Sequence, residues 1–175
     1  MEPTSILRVF EEHGVEYVVA GASAVWLHDV DWQVVPTLEV CYRQAWNNCE
    51  CLTRALDEIG AQAIPPLSVP IPVTADLRKA REPVLFETPA GPLALLPTVT
   101  GLGTYDELSP EATVVERAEI RIPVLALEQL RRWATVHPSG DLPFLGRLLS
   151  LQKRGRKAAK PEDPDARPAE RNEER

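Results

Sequence analysis

Two short runs of β-branched and apolar residues, each followed at once by a helical pattern, constrain this chain more than any other feature. "VEYVVAG" at 15–21 reads as a strand over Val15–Ala20 that turns at Gly21. "ASAVWLH" then reads as a short helix with Ser23 helping to cap it. "TLEVCY" at 37–42 alternates apolar and polar side chains, placing Thr37 and Glu39 on one face and Leu38 and Val40 on the core face. "QAWNNCECLTRALDEIG" follows as the clearest helix. Trp46, Cys49, Leu52, Leu56 and Ile59 recur at helical spacing and Gly60 ends the run. Strands interleaved with helices form a sheet that the helices must cover, so the expected fold is α/β with a mixed sheet.

The rest of the chain extends this pattern. A helix is predicted over Pro3–His13 and an edge strand over 61–64. Residues 65–83 hold Pro65, Pro66, Pro70, Pro72 and Pro83 and read as a long loop. A hairpin follows, with strands at 84–88 and 93–96 around Pro89-Ala90-Gly91-Pro92. A loop centred on Tyr105 and Asp106 precedes two short strands within 113–126. The expected ending is helical: one helix over 125–137, a turn at 138–140, and a last helix from Asp141. Residues 1–153 read as one domain, and 154–175, rich in Lys, Glu, Pro and Ala, as a disordered charged tail.

Composition excludes several functions. The net charge of −7 repels phosphate backbones at long range, so nucleic acid is an unexpected partner except through the basic segment 153–160, with Lys153, Arg154, Arg156, Lys157 and Lys160. The opening "MEPTSILRVFEEHG" has no apolar core of a signal peptide, and no stretch approaches the ~20 apolar residues of a membrane span. The expected location is the cytoplasm, without a membrane partner. Cys41, Cys49 and Cys51 are an odd set without zinc-site spacing and are expected to be buried or half-buried thiols.

"EHGVEYVVAGASAVWLHD", "TLEVCYRQAWNNCECLTRALDEIGA", "FETPAGPLALLPTVTGLGTYDEL" and "IPVLALEQLRRW" occur in that order. Together they resemble the small single-domain bacterial nucleotidyltransferases of the DNA polymerase beta-like superfamily, in its toxin-related and uncharacterised branch. The resemblance spans about residues 5–150. It implies a small nucleotidyltransferase-like domain with a helical C-terminal segment. It also implies a phosphate-binding turn at Gly21, Ala22 and Ser23, and a catalytic carboxylate at each of positions 37, 39 and 94. In that superfamily the carboxylates hold divalent metal, which binds the triphosphate and activates the attacking hydroxyl.

This chain departs from the pattern at those positions. Thr37 stands for the first carboxylate, Glu39 for the second and Ala94, in "GPLALL", for the third. The turn is Gly21-Ala22 with Ser23 one place late. Asp29 replaces the glycine after Leu-His, and Trp133-Ala134-Thr135 occupies the region of an expected lysine. Glu39 alone remains as a metal ligand. The resemblance with its lost carboxylates implies a catalytically impaired protein, a pseudoenzyme that binds a nucleotide or a protein partner and needs no cofactor. A role beside a toxin–antitoxin pair belongs to the same branch. The alternative is an active enzyme that uses Mg2+ and NTP to transfer a nucleoside monophosphate to an RNA, a protein or a small molecule. For that alternative, Glu39 with Asp31 or Glu87 offers a rewired metal site. Asp29, His28, Tyr42, Arg43, Tyr105 and Asp106 complete the set of residues that such a site could draw on.

Overall fold

The computed structural model describes residues 3–28, 37–64 and 74–136, the side chains of 74–76 excepted. Within them the chain runs α1 (Pro3–Glu12), β1 (Tyr17–Val19), α2 (Gly21–His28), β2 (Leu38–Tyr42), α3 (Trp46–Glu58), β3 (Gln62–Ala63), α4 (Thr74–Lys79), β4 (Val84–Glu87), β5 (Leu93–Leu96), α5 (Tyr105–Leu108), a 3₁₀ turn at Ser109–Glu111, β6 (Thr113–Arg117), β7 (Ile120–Val124) and α6 (Leu127–Val136). The strands form one sheet in the order β3-β4-β5-β2-β1-β7-β6. β1 lies antiparallel to β2, while β2–β5 and β1–β7 are parallel. Hairpins β4–β5 and β6–β7 extend the sheet on its two sides. The mixed sheet flanked by helices is the expected α/β architecture.

Leu38, Val40 and Tyr42 of β2 point to one face together with Tyr17 and Val19 of β1, Leu93 and Leu95 of β5, and Phe86 of β4, and all are buried. α1 covers this face with Ile6, Leu7 and Phe10, the Phe10 ring meeting Tyr17 edge-on at 5.6 Å. α3 packs beside α1 and buries Cys49, Leu52, Ala55 and Leu56. Asn48 ties α3 to the sheet. Its amide oxygen accepts the Glu16 N–H at 2.7 Å, and its NH2 donates to the carbonyls of Glu16 and Arg43 at 3.0 and 2.8 Å. α2 is apolar all round because it is wedged between β2 and α6, so nearly all of its side chains are covered.

Several local expectations change. Residues 74–79 are helix α4, not loop. The prolines of 65–83 fall at 65–72 and at 83, which leaves a proline-free stretch between them that can close a helical turn. Tyr105 and Asp106 open α5 rather than centring a loop, because Thr104 and Glu107 form a capping box. Trp46 is not on the buried side of α3 and stands 52% exposed. Ser23 does not cap α2, since the helix begins two residues earlier, at Gly21. The thiols are free as expected, with Cys41 and Cys49 buried, and burial pushes the Cys41 thiol up to about 12. The segment 29–36 with Asp29 and Asp31, the last helix from Asp141, the boundary at 153 and the basic tail lie outside the described residues. Among the described residues no helix is long and apolar enough to cross a membrane.

Candidate nucleotide-binding end of the sheet

β1 ends beside the start of β2, and the chain must reverse sharply there to enter α2. Gly21 makes that reversal with φ at +57°, a conformation that a side chain disfavours. The turn is laced to β2 through both backbone and side chains. The Ala20 N–H donates to the Glu39 carbonyl at 2.9 Å. The Glu39 N–H donates to the Ser23 hydroxyl at 3.1 Å, and that hydroxyl donates to the Thr37 carbonyl at 2.9 Å. Ser23 is fully buried, so its oxygen is committed to the β2 backbone and is not presented to solvent.

The Glu39 side chain reaches back over the turn and accepts the Ala22 N–H at 3.1 Å. A carboxylate there is favoured by the open amides and the dipole at the start of α2. Contact is close enough that a methyl group on Gly21 would fall 1.7 Å from Glu39 Oε2.

Register sets the remaining neighbours. Glu39 lies directly opposite Ala94 on β5, and Ala94 directly opposite Leu85 on β4. One row across three strands therefore reads carboxylate, methyl, isobutyl on the face away from Leu38 and Val40. Positions 37, 39 and 94 come to one end of the sheet, with Thr37 just before β2. Leu85, 43% exposed, joins them, a neighbour that the alternation in "VLFE" signals only once the pairing partner is known. Glu87 pairs with Gln62 on the far side of β4. It is two strands from β2, roughly 10 Å at ordinary strand spacing.

His28 closes the other end of α2 instead of meeting an anion. Its Nε2 donates to the Leu125 carbonyl at 2.9 Å, and burial lowers its pKa. Tyr42 and Arg43 lie at the opposite end of β2 from Gly21. Tyr42 is buried, and its hydroxyl donates to the Leu77 carbonyl at 2.7 Å. Arg43 pairs with Glu16 at 3.1 Å and Asp106 at 3.2 Å, which links the end of β2 to α5.

No protein-family model matches the chain, and no curated protein sequence matches it. Solved structures do. The lincosamide antibiotic adenylyltransferase LnuA, in its lincomycin-bound crystal structure, superposes with a TM-score of 0.56 at 13% identity, over 86% of this chain and 94% of that one. The chain has the nucleotidyltransferase fold. The antibiotic-resistance factor ANT(2'')-Ia, in its solution structure, is similar with a TM-score of 0.50 at 15% identity, over 91% of this chain and 96% of that one. In this nucleotidyltransferase-fold chain, the turn before α2 and the start of β2 bring Gly21, Ala22, Ser23 and Glu39 together.

Proposed function

We propose that this protein is a nucleotidyltransferase-fold module without transfer activity, which serves as a nucleotide- or protein-binding unit. The row of Glu39, Ala94 and Leu85 carries this reading. Magnesium takes hard oxygen ligands in near-octahedral geometry. A carboxylate whose direct neighbour on β5 is a methyl group does not fit that demand, and Thr37 adds only a neutral hydroxyl. Glu39 is moreover engaged by the Ala22 N–H. The start of α2 already holds the Glu39 carboxylate, so a nucleotide or an acidic partner group at this end of the sheet would take its place on the Ala22 N–H.

The test is label transfer. The purified chain is incubated with each α-labelled NTP and Mg2+ or Mn2+, with itself, bulk tRNA and small hydroxyl compounds as acceptors. No labelled product is expected, and any NTP binding seen by calorimetry should not depend on divalent metal. Metal-dependent transfer that is lost in Glu39→Gln would establish the active-enzyme alternative.

A further inference from the structure

At the opposite end of β2 from Glu39 the surface turns basic, in a chain whose net charge is −7. α3 begins at Trp46, which is 52% exposed. Arg78 of α4 lies over its ring, the guanidinium carbon 5.7 Å from the ring centroid. Arg78, Lys79 and Arg81 are all exposed, and with Gln44 and Ala80 they line a cavity of about 310 Å³. The Gln44 amide donates to the carbonyls of Leu77 and Ala80 at 3.0 and 2.9 Å, which fixes the last turn of α4 and hence the position of the cations.

Cations near a helix C-terminus complement its dipole, which accounts for Arg78 and Lys79 in part. It does not account for Arg81 beyond the helix, nor for an indole left exposed at the start of α3. Among the described residues no ion pair engages Arg78, Lys79 or Arg81, whereas the neighbouring Arg43 is paired with Glu16 and Asp106. The adjoining cavity of about 290 Å³, lined by Arg43, Tyr105 and Asp106 among others, shares Gln44 as its wall. The surplus of positive charge thus stops at Gln44.

We propose that this surface binds a short stretch of single-stranded nucleic acid, with a base stacked against the Trp46–Arg78 pair and backbone phosphates held by Lys79 and Arg81. Aromatic rings and guanidinium planes are the stacking platforms of single-strand binding, and basic side chains track the backbone. An acidic peptide would use the cations alone, through exposed ion pairs that hold weakly. The narrow basic area sets a footprint of about two or three nucleotides, and the acidic remainder of the chain limits binding to short range. With two phosphates neutralised by Lys79 and Arg81, the logarithm of affinity should fall with the logarithm of salt with a slope of about −1.4. This site is separate from the Glu39 end of the sheet and does not rest on the reading given for it.

The experiment uses the full chain and a fluorescein-labelled ten-residue oligouridine, followed by anisotropy at low salt. Saturable binding is expected. It should weaken at least about tenfold in R78E/R81E and about fivefold or more in W46A, and be largely kept in W46F. K79E/R81E, which leaves the Trp46–Arg78 contact in place, should weaken it comparably. Replacing Lys153, Arg154, Arg156, Lys157 and Lys160 by Gln should change it less than twofold. The proposal is overturned by the absence of saturable binding, or by binding that survives both double variants but is lost with the tail lysines and arginines. It is equally overturned if an oligoglutamate peptide displaces the probe as well as unlabelled oligouridine does, an outcome that would assign the surface to an acidic protein.

Discussion

Gly21 carries a hydrogen where other residues carry a methyl group, and Glu39 has moved into the space so left. Gly21→Ala should therefore cost about 2 kcal/mol, from left-handed backbone strain and the loss of the Ala22–Glu39 hydrogen bond as the carboxylate is pushed aside. Glu39→Ala alone should cost about 1 kcal/mol. In urea unfolding the double variant should lose less than the two single losses added, since the hydrogen bond can be lost only once. Additive losses would mean that the two residues are not coupled. His28 supplies a pH-dependent term. Burial holds its folded pKa below the ordinary ~6.5, so the unfolded chain takes up the proton first as pH falls. The associated stability is intact above about pH 6.5 and is lost as pH falls through the folded value. His28→Gln, which can still donate to the Leu125 carbonyl, should flatten the decline of the denaturation midpoint below pH 6.5 relative to the parent. Parallel curves for the two proteins would remove His28 as the cause.

Among the elements, the β6–β7 hairpin is closed under strain. Its two-residue turn, Ala118-Glu119, joins Arg117 to Ile120 with φ at +47° and +65°. That geometry matches strand twist and prefers Asn-Gly. Arg8 of α1 donates to the Ala118 carbonyl at 2.7 Å and helps hold the turn. A118N/E119G should stabilise the protein by about 1 kcal/mol. For a chain of this size that raises the melting temperature by about 2–4 °C. A lower melting temperature would show that Ala118 and Glu119 make contacts worth more than the strain. The strands and the longer helices were legible from periodicity, because Leu38/Val40 and Cys49/Leu52/Leu56 repeat at the spacing of their own element. α4 was not legible. It is one and a half turns long, too short to build a period, and it forms where Leu77 can pack and its carbonyl can receive the Tyr42 hydroxyl. α5 carries a local sign in Thr104 and Glu107, three residues apart, the spacing of a capping box.

On the scale of the whole molecule, the proposed loss of a metal site can be tested by placing carboxylates at the start of β2 and across from it on β5. T37D/A94D should place two new carboxylates next to Glu39. Their mutual repulsion should lower the melting temperature without metal. Millimolar Mn2+ or Mg2+ should restore part of the loss by binding only the folded state, while the parent responds little. An equal response in the parent would reveal a native site built from other ligands. No response in the variant would mean that positions 37, 39 and 94 do not converge as three ligands must.

Local chemistry was enough to specify an α/β sheet and the core face of β2, because each rests on a period of a few residues. Tertiary structure decided what those residues meet. Parallel pairing of β2 with β5 brings together residues more than fifty positions apart, and no local pattern encodes that register. It set Ala94 beside Glu39, the β4–β5 hairpin set Leu85 one strand beyond, and the sharp turn at Gly21 delivered the Ala22 amide to the Glu39 carboxylate. The same non-local packing buried Ser23 against the β2 backbone, tied the Tyr42 hydroxyl to the Leu77 carbonyl, and left Trp46 exposed under Arg78. A side chain's role depends on neighbours that the chain acquires only when distant segments close on one another, and the helical or strand period does not contain that information.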